Sequence, residues 1–433
     1  MTGLMIAAPR SGSGKTTITL GLLRALKRRG VALAPGKAGP DYIDPAFHAA
    51  ASGQVCLNYD PWAMRSDLLL ANASLQTQGN RMLVLEAMMG LFDGAADGSG
   101  SAGDLAGLLG LPVILVIDCS GMSHSVAAIA SGFANKQKDV LVAGVILNHV
   151  ASPRHDGMLR QALEKARVEV LGSLPRNDKL VLPQRHLGLV QAGENEKLAA
   201  LIDDAADVME SRIDLDRLIR QAHRRPSRPA PANIPRLPPP GQKVAVARDV
   251  AFAFCYEHML LGWQRRGAEL SFFSPLADEA PQADCDAVIL PGGYPELHAG
   301  RLAAAGQFKA GMQQAIDRGI PIYGECGGYM ALGGGLIDAE GVRHVMPGAP
   351  PLVTSFAEPT RHLGYRRLTP ASGFFWNMEL SAHEFHYASV VSEGEADGRL
   401  FTSRDALGAD LGSAGLRRGN VAGSFMHVID RID

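Results

Sequence analysis

The sequence has little cysteine, no excess of basic charge and no long apolar run, and each shortage removes a class of protein. Five cysteines (Cys56, Cys119, Cys255, Cys285, Cys326) are odd in number and scattered. No CxxC and no Cys/His spacing suited to zinc occurs, so neither a disulfide framework nor a structural zinc site is expected. A net charge of −2 leaves no surplus of lysine and arginine to neutralise phosphates, which argues against a nucleic-acid partner. Apolar runs such as 140–147 are far too short to span a bilayer. The N-terminus, MTGLMIAAPRSGSGKTT, has no basic n-region and no long apolar core, so no signal peptide is expected. What remains is a cytoplasmic protein in a reducing compartment, without a membrane partner.

The chain is long enough for two domains: 433 residues, 46% hydrophobic and 20% charged. Residues 226–240, PSRPAPANIPRLPPP, hold seven of the 26 prolines, a density no packed helix or central strand tolerates. This predicts domains at 1–222 and 242–433 around an extended linker, 223–241. Before the linker, apolar strands (4–8, 31–34, 82–85, 113–117, 142–147) alternate with helical patterns (16–29, 124–133, 156–166, 194–209). Such alternation predicts a parallel sheet with helices on both faces. The pattern restarts after the linker with strands at 243–247, 269–273, 287–290 and 320–323 and helices near 255–266 and 302–318. From about residue 342 short strands and turns take over. The expected fold is therefore α/β in both halves, the second with a β-rich tail.

The first half carries phosphate chemistry. APRSGSGKTT follows the first strand and opens the first helix. Ser11, Gly12, Ser13, Gly14, Lys15, Thr16 and Thr17 match the end of a P-loop, whose backbone N–H groups cradle phosphates while lysine neutralises them and a hydroxyl holds Mg²⁺. Pro9 stands where the full pattern has glycine. The competing reading is a helix-capping turn with a solvated lysine. A P-loop Mg²⁺ wants a carboxylate from a second strand end. Glu86 and Asp118 both qualify, and the glycine-bearing loop after Glu86 favours it. The loop-like stretch GKAGPDYIDPAFH offers Lys37 to a phosphate or reacting carboxylate, and Asp41, Tyr42 and Asp44 to metal or substrate. A proline-bounded turn with solvated acids explains it as well.

The second half carries a thiol. IPIYGECGGYM reads as a strand, a tight turn and a helix with Cys326 at the bend, the geometry that lifts a nucleophile above a sheet. VILPGGYPE ends a second strand in Gly292 and Gly293, whose N–H groups suit an oxyanion. GSFMHVID sets His427 after a third strand as a general base. Alone, a buried cysteine is usually a small hydrophobe; the three together favour catalysis.

At these residues the chain resembles the glutamine-dependent a,c-diamide synthases of corrin biosynthesis. SGSGKTT, KAGPDYIDPAFH, LNYDPWAM, LEAMMGLFDG, GVILNHV, PQRHLGLV, FSPLADEAP, LPGGYPELHA, YGECGGYM and GSFMHVID carry the likeness through both halves. The resemblance implies a P-loop-type synthetase domain similar to dethiobiotin synthetase, followed by a class I glutamine-amidotransferase-like domain. It implies that Cys326 attacks glutamine, His427 takes its proton, and N–H groups near Gly293 and Gly327 hold the oxyanion. ATP would phosphorylate a substrate carboxylate near Lys37, Asp41, Tyr42 and Asp44, with Mg²⁺ at Thr16 and Glu86, and ammonia would displace phosphate. Asn148 is similar to an adenine-reading asparagine, and Arg185 and His186 to nucleotide or domain contacts. Class I glutaminases read His-Pro-Glu at the base. Here the text is His427-Val-Ile-Asp430, so a Cys–His dyad is expected, with Asp430 the alternative third member. The implied partners are a corrinoid substrate, ATP and glutamine, with homodimer formation left open. Hydrogenobyrinate is favoured over cobyrinate. Cobyric acid synthase, a nickel–sirohydrochlorin diamidating enzyme, a regulatory P-loop ATPase with an inert glutaminase-like domain and a plain cysteine hydrolase are the competing readings.

Overall fold

The computed structural model describes residues 2–177, 184–185, 188–189, 197–223, 234–371 and 373–432. The chain divides into two compact units, Met1–Ile234 and Pro235–Asp433. The division falls inside the proline-rich stretch, of which residues 226–233 lie outside the described residues. Among the described residues no helix is long and apolar enough to cross a membrane.

In the first unit, seven strands form one sheet: β1 (Thr2–Ala7), β2 (Leu33–Ala38), β3 (Leu57–Tyr59), β4 (Met82–Glu86), β5 (Val113–Asp118), β6 (Val142–Val150) and β7 (Val170–Pro175). Their spatial order is β3-β2-β4-β1-β5-β6-β7, and every pair is parallel. Parallel neighbours need crossover connections, which the helices supply. Helix α1 (Lys15–Arg28) drives Leu20, Leu22, Leu23 and Leu26 into a core shared with Leu4, Ile6, Val84, Ile114 and Val116 of the sheet. Ile202, Ala206 and Met209, from helix Leu198–Arg212, belong to the same core. Burial on both faces explains why these strands read as continuous apolar runs rather than alternating ones.

One stretch departs from expectation. The strand read at 31–34 begins at Leu33 and runs on to Ala38, so Lys37 is a strand residue and not a loop residue. The expected strand stopped before Pro35. In fact β3 pairs with β2 only from Gly36 onward, so Pro35 faces no residue of β3. The loop read after it contains helix α2 (Ile43–Ser52). Pro45 sits in the first turn of α2, where a missing N–H leaves no bond unmade.

In the second unit, five parallel strands lie in the order Glu269–Phe273, Lys243–Ala247, Ala287–Leu290, Ile322–Glu325 and Val421–Ser424. Five antiparallel strands continue the sheet: Asp410–Arg418, Gly398–Arg404, His362–Pro370, Leu380–His386 and Met426–Arg431. Only Phe425 separates Val421–Ser424 from Met426–Arg431, so the antiparallel half curls back on itself. A four-stranded sheet completes the β-rich tail. The helix read at 302–318 is two helices, Ala299–Ala304 and Gly306–Asp317, broken at the extended Ala305.

Candidate active sites

In the first unit, the loop between β1 and α1 turns through Gly12 (φ +76°) and Gly14 (φ +88°), a backbone that side chains rarely adopt. A side chain at Gly14 would also strike the amide of Asn148. Asn148, at the end of β6, donates from Nδ2 to the Ser13 carbonyl at 2.9 Å, and Ser13 Oγ donates to the Arg10 carbonyl at 3.0 Å. Ser11 is exposed beside them, and Thr17 lies in the first turn of α1. Lys15 donates from Nζ to the Met89 carbonyl at 2.6 Å, in the loop after β4. Burial lowers its affinity for a proton.

Thr16 Oγ1 donates to Glu86 Oε1 at 2.8 Å. The same oxygen accepts from Lys37 Nζ at 2.9 Å, and Glu86 Oε2 accepts from His48 Nε2 at 2.7 Å. Lys37 also pairs with Asp44. Burial disfavours charge on Glu86, but Lys37 and His48 outweigh it and hold the carboxyl far below its ordinary range. Burial likewise opposes the Lys37 ammonium, and Glu86 and Asp44 reverse the balance. Asp44 is pushed up to about 6, by burial first and then by Asp41. Asp41 Oδ1 accepts from the N–H groups of Ile43 and Asp44 and so caps α2, which Tyr42 adjoins. Asp118 is set apart from this cluster: it pairs with Arg10 and His149, each at 3.0 Å. The sequence reading missed His48. Asp44 and His48 are one helical turn apart, a signal hidden while the stretch reads as a loop.

Side chains of residues 178–196 are outside the description. Arg185 lies in a two-residue strand, and His186 lies outside the described residues.

In the second unit, three adjacent parallel strands end at one place. Cys326 follows Ile322–Glu325, Gly292 and Gly293 follow Ala287–Leu290 on one side, and His427 follows Val421–Ser424 on the other. Loops at the carboxyl ends of parallel strands are where open α/β sheets assemble sites. Cys326 has φ +45° and ψ −105°, a strained backbone for a non-glycine residue. Its N–H donates to the Ser424 carbonyl at 2.8 Å, and its thiol faces the Phe385 carbonyl at 3.7 Å. A Cβ on Gly324 would sit 2.7 Å from the Gly328 carbonyl carbon, so the bend needs glycine before it. A Cβ on Gly327 would sit 2.8 Å from the Gly293 nitrogen, so the two backbones touch. A side chain at Gly292 would strike the His427 imidazole.

Burial pushes the Cys326 thiol well up, and Glu296 adds to it. Burial, with His383 and His386, holds His427 down at about 3. Glu325, the residue before the thiol, brings Oε2 within 3.8 Å of His427 Nδ1, while Oε1 accepts from the Val428 N–H at 3.2 Å. Burial pushes its carboxyl up to about 8. Asp430 pairs across the sheet with Ser381, whose hydroxyl donates to its carbonyl. The sequence reading looked for the base's carboxylate downstream of His427; Glu325 approaches from the end of Ile322–Glu325, the strand beside Val421–Ser424, which only strand order reveals. It also missed a polar group on the antiparallel half. Arg366 holds Glu384 Oε2 at 2.7 Å and His386 Nε2 meets Oε1 at 3.1 Å.

Two family models match this chain. Residues 4–190 match a CobQ/CobB/MinD/ParA nucleotide binding domain, and residues 243–431 a CobB/CobQ-like glutamine amidotransferase domain. Proteins named hydrogenobyrinate a,c-diamide synthase align along the whole chain. That from a Sinorhizobium species is 64% identical over 430 residues, covering 99% of both chains. That from Brucella anthropi is 64% identical over 432 residues, again covering 99% of both. That from Rhodobacter capsulatus is 50% identical over 434 residues, covering 99% of this chain and 98% of its own.

Proposed function

This chain belongs to the hydrogenobyrinate a,c-diamide synthase family, and we propose how its residues divide the work. It is a glutamine-dependent ligase of cobalamin biosynthesis that forms C–N bonds at the expense of ATP. The substrate we assign is hydrogenobyrinate, whose a and c carboxylates become amides. A carboxylate resists ammonia because its leaving group would be oxide. Transfer of the γ-phosphoryl group of ATP to a carboxylate oxygen gives an acyl phosphate and ADP, and ammonia then expels phosphate.

In the first unit, Ser11 to Thr17 would cradle the phosphates by backbone N–H groups. Lys15 would leave the Met89 carbonyl for a phosphate oxygen and neutralise it. Asn148 would read the adenine. Lys37, Asp41, Tyr42 and Asp44 would receive the substrate carboxylate. Thr16 and Glu86 would hold Mg²⁺: both offer oxygen, and they lie within hydrogen-bond distance of each other. When bound there, Mg²⁺ supplies charge stabilisation on the transferring phosphoryl. Lys37 already neutralises the same Glu86 oxygen, which keeps that carboxylate ionised and ready.

In the second unit, Cys326 Sγ would attack the side-chain amide carbon of glutamine after His427 takes its proton. Gly293 and Gly327 N–H groups would hold the oxyanion. His427 returns the proton to the leaving nitrogen, ammonia departs, and water cleaves the thioester to glutamate. The enzyme acts without membrane or nucleic-acid partners in this reading, in the cytoplasm, and homodimer formation is compatible with it.

The observation that carries the reading is one chain holding both a phosphate loop joined to a buried carboxylate and a thiol on a strained bend, aligned end to end with these synthases. The test is ATP consumption with glutamine and Mg²⁺, comparing hydrogenobyrinate with cobyrinate and following product mass. Two amidations of hydrogenobyrinate at the higher kcat/KM are expected. Preference for cobyrinate would overturn the substrate assignment, and no turnover of either would redirect the search to other tetrapyrroles.

A further inference from the structure

We propose that Glu296 receives the α-ammonium group of the glutamine donor. The inference rests on Cys326 being the nucleophile that attacks glutamine, and adds a residue to the donor site. Glu296 lies in the short turn Pro295–His298, directly after the Gly292–Gly293 loop. It is 8% exposed, and neither carboxyl oxygen has a hydrogen-bond partner. Buried polar groups almost always find partners, so a fully unpartnered carboxyl calls for a ligand. Among the described residues no cation offsets it: burial pushes it up to about 8, against a smaller opposing influence of its own N–H. Burial therefore favours its neutral form, which is how the fold tolerates it.

Its position points to the donor. Among the charges around Cys326, that of Glu296 acts on the thiol most strongly, ahead of Glu325 and Glu384. The preceding Pro295 would lie 2.8 Å from a Cβ on Gly327, the residue after the nucleophile. A ligand held here thus lies beside the thiol. Glutamine, with its amide carbon at Cys326, brings one cation, its α-ammonium. Pairing that cation with Glu296 satisfies the orphaned oxygens and lets the carboxyl ionise without leaving a net negative charge beside the reacting sulfur. A site of this kind also rejects donors that lack the amine, because Glu296 would again be buried without a partner.

The experiment compares two donors on the full-length enzyme with corrinoid and ATP present: glutamine and glutaramate, the same amide with hydrogen in place of the α-ammonium. Wild type should use glutamine with the higher kcat/KM. Glu296→Gln should lower kcat/KM for glutamine about 10- to 100-fold, mainly through KM, and change that for glutaramate by less than about threefold. Glu296→Asp should recover part of the discrimination. Equal losses on both donors, or a wild type that uses both equally, would overturn the proposal. Should Glu296→Gln not fold, by thermal unfolding, the wild type still decides: glutamine should protect Cys326 from alkylation, and equal protection by glutaramate overturns the assignment. Failure of the underlying reading looks different, since Cys326→Ser would then leave ammonia release from glutamine intact.

Discussion

Glu86 in the first unit and Glu325 in the second are both buried, and they meet burial in opposite ways. Glu86 keeps its charge because Thr16, Lys37 and His48 all donate to it. Glu325 has one backbone donor and a histidine at 3.8 Å, and is pushed up to about 8. His427 follows the same course from the other side, held down at about 3. At the phosphate loop the first unit thus buries compensated charges, and beside Cys326 the second buries an acid and a base that are uncharged. The contrast matches the chemistry. A phosphoryl group in transfer is a polyanion, and fixed charges stabilise it without moving protons. Attack on an amide needs a proton taken and returned, and an uncharged imidazole has the free lone pair to take it.

The largest effect separates the two units. Cys326→Ser should remove glutamine-dependent amidation, by about 10³-fold or more, because the oxygen nucleophile is far weaker. Ammonia-driven amidation should continue at close to the wild-type rate. Equal loss with both nitrogen sources would erase the division. Lys15→Ala comes next. It removes a cation from the phosphoryl transfer site and should lower amidation about 10²- to 10³-fold with glutamine and with ammonia alike. Retained ammonia-driven activity would remove Lys15 from phosphoryl transfer.

The two units were also unequally legible in the sequence. The thiol site depends on strand ends, and apolar runs ending in Gly-Gly or Gly-Glu-Cys are visible as text. Strand order then brings Cys326, Gly292 and His427 together. The buried ionic cluster of the first unit was half hidden. A strand and a helix read together as a loop, so Lys37 was placed in a loop and His48 was no candidate at all. Glu325 was hidden for another reason. Its approach to His427 crosses about a hundred residues of chain and appears only when Ile322–Glu325 and Val421–Ser424 are seen to be neighbours. Periodicity reports local structure, and neither case is local.

The smallest effect tests which carboxylate serves His427. Glu325 comes within 3.8 Å of Nδ1 from the end of Ile322–Glu325, and Asp430 stands three residues further along the base's own strand. If Glu325 orients the imidazole, it does so as a carboxylate, accepting the Nδ1 proton so that Nε2 is free to take one from the thiol. Its carboxyl is protonated below about 8 and ionised above, so kcat/KM of the glutaminase should rise as pH passes through about 8. Glu325→Gln cannot ionise. It should flatten that rise and lower the alkaline plateau about 10-fold, less than the loss of about 10²-fold or more expected for His427→Ala. Asp430→Asn should keep the rise and stay within about threefold of wild type. A pH profile that survives in Glu325→Gln and vanishes in Asp430→Asn would move the third member of the site back to Asp430 and overturn the view that the thiol's own strand supplies the carboxylate.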